Sequence, residues 1–350
     1  MDRREFLASA AGAGTPMAAT AAHPEGLRLP SRIVPLAASV SAAARTYLAA
    51  LIGPDGGPHV RPPFPAPNDL AAWATAKVRA NEQMDASFAA EAARLQSSCE
   101  TVRMAGVVVQ VATPKGGPQH EERAFLDVHG GALIYGEGEF CKLGARRASD
   151  NLGVRAYGVD YRTPPEHPYP AGLDDCLAVY RELLKRYQPQ NIIVGGLSAG
   201  GNLAAALVLR ARDEGLPPPA AVVLLTPEVD LTESGDSFKT LEGLDISYPC
   251  TLMPINLLYA AGHDLAHPYL SPLFGDFSKG YPPTFLQAGT RDVFLSNTVR
   301  LHRALRRAGV SAELHIFEAM PHGGFHGAPE DRELDAEVRR FVDEHWGRKA

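Results

Sequence analysis

Gly196-Leu197-Ser198-Ala199-Gly200 is the stretch of this sequence best suited to covalent chemistry. In a G-x-S-x-G turn between a buried strand and a helix, the serine hydroxyl is lifted clear of the fold. The flanking glycines leave room where side chains would collide. The strand read at 191–196 and the Ala-rich helix read at 199–214 supply that setting. The helix N-terminus behind the serine favours developing negative charge. The chemistry expected is attack by Ser198 on a carbonyl carbon. Such an attack charges the carbonyl oxygen, which needs preorganised N–H donors. His129-Gly130-Gly131-Ala132 follows an apolar strand at 124–129 and forms an H-G-G-x loop. The donors expected are the backbone N–H groups of Gly131 and Ala132, with that of Ala199 as a third. Ala132 stands where a further glycine would be usual, but the donor there is backbone, and a methyl group leaves it in place. His129 reads as a hydrogen-bonded structural residue, since it precedes the loop that would hold the oxyanion.

A serine hydroxyl is a poor nucleophile until a histidine takes its proton, and a carboxylate must hold that histidine in the right tautomer. Downstream, the strand at 284–288 runs into Gly289-Thr290-Arg291-Asp292. The strand at 312–317 runs into a Gly-rich loop containing His322. Asp292 and His322 are therefore the expected acid and base, each at the carboxyl end of a strand, in the chain order nucleophile, acid, base. Glu318 is the rival acid and His326 the rival base, the latter reading as a surface or supporting residue. His302 falls within a helix. Asp160, Arg162 and Glu166 read as a structural ion-pair network.

The elements that must position these residues begin with helical pattern at 31–52, a Pro/Gly-rich stretch at 53–67, and one long helix at 70–98. From residue 101 strands and helices alternate. Strands are expected at 107–111, 124–129, 154–159, 191–196, 220–226, 284–288 and 312–317, with helices at 141–151, 173–187, 199–214 and 296–308 between them. That alternation predicts a mostly parallel sheet with helices on both faces. Residues 231–272 carry no strand pattern and fit a helical, cap-like excursion.

His129-Gly130-Gly131, Asp160-Tyr161-Arg162 with Pro165-Glu166 and Pro170, and Gly196-Leu197-Ser198-Ala199-Gly200-Gly201-Asn202 occur in the order found in the hormone-sensitive-lipase-like esterases, bacterial family IV of the α/β-hydrolase superfamily. This sequence resembles that family from about residue 101 to the C-terminus. The resemblance implies an α/β-hydrolase fold: an eight-stranded, mostly parallel sheet, a helical cap and no cofactor. It implies a serine carboxylic-ester hydrolase for small to medium esters, working through Ser198, Asp292, His322 and an acyl-enzyme. Leu197 stands where the family usually has Asp, and Ala132 where it has Gly, which bears on substrate preference. The C-terminal half also resembles bacterial monoterpene lactone hydrolases, so a lactonase with the same triad is one alternative. A receptor-like binding protein without turnover is the other, and it would have lost the acid or the base.

The 350 residues carry a net charge of −6, with 45% hydrophobic and 21% charged residues. That balance suits a globular protein and argues against nucleic-acid binding, which needs a basic face. The four cysteines, Cys99, Cys141, Cys176 and Cys250, form no C-x-x-C pair and show no zinc-site spacing, so no metal is expected. Arg3-Arg4 followed by an uncharged small-residue stretch and Ala19-Thr20-Ala21 resembles a twin-arginine signal peptide over 1–22. The expected organisation is thus a signal at 1–22, a helical cap region at 23–100 and a catalytic domain at 101–350. The expected location is the periplasm, or the cytoplasm if the signal is unused. The expected partner is a small-molecule ester or lactone, without stable membrane insertion. Oligomeric state is not legible.

Overall fold

Val107–Thr113 and Ala124–Val128 are runs of β-branched and apolar residues, and in the computed structural model they are β2 and β3 of an eight-stranded sheet. The other strands are β1 (Ser98–Met104), β4 (Arg155–Asp160), β5 (Ile192–Leu197), β6 (Ala221–Leu225), β7 (Thr284–Arg291) and β8 (Ala312–Pro321). Their order across the sheet is β1-β2-β4-β3-β5-β6-β7-β8. The pairs β1/β2 and β2/β4 are antiparallel and all others parallel. The structure describes residues 33–57, 63–245 and 251–347. Every helix and strand named belongs to one compact unit, Leu36–Ala350. Residues 1–22, read as an export signal, lie outside the described residues, as does Cys250.

The helices α1 (Ala42–Ala50), α2 (Leu70–Ala92), α3 (Glu139–Leu152), α4 (Ala171–Leu184), α5 (Ala199–Asp213), α6 (Ser237–Thr240), α7 (Met253–Ala260), α8 (Leu295–Arg307) and α9 (Pro329–His345) flank the sheet and its carboxyl end. One core face joins Leu126, Val128, Val194 and Leu224 of the strands to Leu177, Leu203, Leu207 and Leu301 of α4, α5 and α8. The opposite face packs Phe125, Ile193, Val223 and Phe285 against Ala145, Phe341 and Val342 of α3 and α9. Successive strand residues point to opposite faces, so both faces are apolar and the strands read as continuous runs.

The helix expected over 70–98 stops at Ala92. Arg146 donates to the carbonyls of Ala92, Leu95 and Ser97, and the Asp150 carboxylate accepts the N–H groups of Gln96 and Ser97 at 2.7 Å each. These side chains take up the groups a further helical turn would need. The chain then forms β1, which turns into β2 through Ala105-Gly106, both with positive φ (49° and 86°), as a tight hairpin requires. The helical pattern at 31–52 narrows to α1, and α9 follows the last strand, where no element was expected. In the cap-like stretch only the short α6 and α7 and a 3-10 turn at Pro272–Phe274 form, with 246–250 outside the described residues. Trp73 of α2 packs with Ile134, Phe238, Leu252, Ile255, Leu258 and Phe294, joining the N-terminal helix to that stretch.

Candidate active site

Ser198 lies between β5 and α5 with φ 59° and ψ −122°, a conformation that non-glycine residues rarely adopt. A Cβ on Gly196 would come within 2.3 Å of Gly200 backbone atoms, and one on Gly200 within 1.9 Å of the Val128 carbonyl oxygen. Both positions require glycine, which is why the pentapeptide has the form it has. A serine at a helix N-cap ordinarily bonds its hydroxyl to the first turn. Here the strained backbone turns it elsewhere, and it makes no capping bond. Its Oγ lies 2.9 Å from His322 Nε2.

His322 follows β8 directly and Asp292 follows β7, and both are buried. The two strands run in register to Gly289 and Phe317, and the pairing then slips so that Arg291 faces Pro321. The bulge on β8 includes Ala319 at φ 53°, and Gly289 lies so near that a Cβ there would be 1.9 Å from the Met320 carbonyl oxygen. Such a bulge re-aims the strand end. It brings His322 Nδ1 to 3.2 Å from Asp292 Oδ1. The structure therefore places Ser198, His322 and Asp292 in one hydrogen-bonded line. Glu318 is exposed on the bulge. The exposed His326 lies against Tyr47 and Phe88, with ring centroids at 5.1 and 5.3 Å. His302 lies on α8.

Thr226, at the end of β6, is a member of this site that sequence reasoning missed. Its hydroxyl donates to Asp292 Oδ2 and sits 2.6 Å from His322 Nδ1, bridging acid and base. Asp292 Oδ1 also accepts the Phe294 N–H at 2.9 Å. The Phe294 ring meets the His322 imidazole edge-on, with centroids 4.9 Å apart. The only sequence signal for Thr226 is its place at the end of the strand next to β5.

Gly130 abuts the nucleophile: a Cβ there would be 3.5 Å from that of Ser198. Gly131, Ala132 and Leu133 all have positive φ (119°, 53° and 65°). The Gly130 carbonyl faces His129 Nδ1 at 2.7 Å, and the Gly131 carbonyl accepts the Tyr135 N–H at 2.7 Å. A trans peptide directs its N–H opposite to its C=O, so the N–H groups of Gly131 and Ala132 point away from those partners. These two donors and that of Ala199 have no acceptor among the described residues. His129 is buried, stacked on Tyr161 at 4.0 Å, as a structural residue would be. Burial holds its imidazole below the usual range.

Asp160, Arg162 and Glu166 do not form the single network expected. Asp160 accepts the Gly138 N–H, Arg162 pairs with Asp175, and Glu166 pairs with Lys77. The chain turns sharply between them, and each finds its partner on a different element. Cys99, Cys141 and Cys176 are free thiols. Among the described residues no helix is long and apolar enough to cross a membrane.

The model of the α/β hydrolase fold family matches residues 125–326. The chain is 33% identical to an acetyl-hydrolase of Streptomyces hygroscopicus over 58% of its own length and 69% of that protein. It is 30% identical to an esterase of Acinetobacter venetianus over 55% of its length and 64% of the relative. Among solved structures, an esterase superposes with a TM-score of 0.81 at 32% identity, covering 92% of this chain and 99% of the other. An esterase of the bacterial hormone-sensitive lipase family superposes with a TM-score of 0.74 at 29% identity, covering 88% and 99%. The chain belongs to the α/β hydrolase fold family, and the proteins it is similar to include esterases, one of them of the bacterial hormone-sensitive lipase family.

Proposed function

We propose that this ester hydrolase cleaves small to medium carboxylic esters by two-step acyl transfer through Ser198, His322 and Asp292. The observation that carries the reading is the 2.9 Å contact between Ser198 Oγ and His322 Nε2. His322 takes the hydroxyl proton as Ser198 adds to the ester carbonyl, and the N–H groups of Gly131, Ala132 and Ala199 receive the oxyanion. His322 returns the proton to the departing alcohol. Water then enters, loses a proton to His322 and adds to the acyl carbonyl, and His322 returns that proton to Ser198 Oγ as the acid leaves. The apolar cluster of Trp73, Ile134, Leu252, Ile255 and Phe294 supports a cap role for α2 and residues 231–272, with the acyl chain lodged against it.

Ser198→Ala should abolish turnover of a short p-nitrophenyl ester and labelling by a fluorophosphonate; wild-type rates in that variant would sink the assignment. A panel of acyl chain lengths with simple lactones tests the substrate. Short and medium esters should lead, and a lactone turned over faster than every ester would move the protein to lactonase chemistry. Arg3-Arg4 and the small-residue stretch after it support export to the periplasm, which fractionation of cells expressing the full chain would test.

A further inference from the structure

Beside the H-G-G-x loop, three potential metal ligands converge that the hydrolytic reading does not use. His129 follows β3, Cys141 lies in the first turn of α3 and Asp160 ends β4. A ring nitrogen of His129, Cys141 Sγ and a carboxylate oxygen of Asp160 all lie within 4.8 Å of one another. We propose that this triangle is a binding site for a divalent transition-metal ion of the Zn2+ type.

The first argument is the orphaned nitrogen. His129 Nδ1 faces the Gly130 carbonyl oxygen, which can only accept, so Nδ1 carries the proton. Nε2 therefore keeps its lone pair, and it is buried without a hydrogen-bond partner. The ring is 3% exposed. A histidine whose other nitrogen is pinned by a backbone carbonyl is the arrangement metal-bound histidines use. The second argument is charge. Asp160 has the Gly138 N–H as its hydrogen-bond partner and no lysine or arginine pairs with it among the described residues. A thiolate and a carboxylate together balance a divalent cation. The third is donor type: one nitrogen, one sulfur and one oxygen suit Zn2+ or Co2+, with water as the fourth ligand, and disfavour Mg2+ or Ca2+. Zinc–sulfur and zinc–nitrogen bonds of about 2.3 and 2.0 Å would draw the three atoms closer by roughly an ångström. Asp160 is partly exposed and offers the entry side. The Cys141 thiol gives its proton to solvent as the Sγ–metal bond forms.

The test is a Co2+ titration of the full chain after chelator treatment, read by calorimetry and by the thiolate-to-cobalt absorption band. One ion per chain with a sulfur band is expected. Cys141→Ala should lose the band, and Asp160→Asn should weaken binding roughly tenfold or more. Ester turnover and thermal melting of Cys141→Ala should match wild type, showing an intact fold; if that variant does not fold, Cys141→Ser replaces it. Absence of a sulfur band in wild type, or an unchanged band in the Cys141 variant, overturns the proposal.

Discussion

The loops that leave β6 and β7 bury three carboxyl groups and treat them in opposite ways. Asp292, after β7, receives the Thr226 hydroxyl, the Phe294 N–H and the His322 ring. Asp230, after β6, receives Thr232, Ser234 and Arg300; burial pushes its carboxyl up, but those hydrogen bonds win and hold it below the usual range. Glu228 is two residues away and equally buried; neither of its oxygens has a close hydrogen-bond donor, and the Asn256 amide only partly offsets the burial. Burial pushes its carboxyl up to about 8. Its backbone nevertheless serves the site, since the Glu228 N–H donates to the Ser198 carbonyl at 3.2 Å. The contrast teaches that depth alone does not set the state of a buried acid. Donors aimed at the carboxylate do, because they replace the water that burial removes.

The sharpest way to break this comparison is to remove the charge from each loop in turn. Asp292→Asn should lower kcat for a p-nitrophenyl ester by roughly a thousandfold or more, because the amide no longer fixes the His322 tautomer. Glu228→Gln should leave kcat within about twofold. Equal losses in steady-state assays would show that both loops serve the reaction. A smaller effect is expected at the bridge. Thr226→Val should cost about tenfold in kcat with KM unchanged, since the direct 3.2 Å contact between His322 and Asp292 remains. A loss as large as that of Asp292→Asn would make the hydroxyl an equal member of the site.

The smallest effect concerns stability. Glu228 keeps its proton in the fold up to about pH 8, whereas in the unfolded chain it releases it near 4.5. Between those values the folded state binds more protons, so stability falls as pH rises through the window and the loss is complete above it. Glu228→Gln removes this slope. Its melting temperature should match wild type near pH 4.5 and below, and exceed it by a margin that widens across the window up to pH 8 and above. A parallel shift at all pH values, measured by thermal melts, would assign the gain to packing.

Ser198, Asp292 and His322 were legible in the sequence because each sits where a strand ends and a glycine-containing loop begins, a signal carried by adjacent residues. The alternating fold was legible for the same reason: periodicity is local, and most strands are buried on both faces. Other features depended on partners distant in sequence. β1 is a polar edge strand whose identity comes from pairing with β2, and α2 ends where Arg146 and Asp150 capture its last groups. Asp160, Arg162 and Glu166 looked like one network on proximity in sequence, but side chains choose partners in space. Thr226 entered the site because β6 lies between β5 and β7, and the Ala319 bulge re-aimed β8 by a slip in pairing that no local residue pattern announces. His129, Cys141 and Asp160 converge from two strands and a helix. The sequence by itself determined which residues are able to do the chemistry, since backbone turns and periodicities are short-range. Only the tertiary structure decided which neighbours complete them, because burial and hydrogen bonding are settled among elements far apart in the chain.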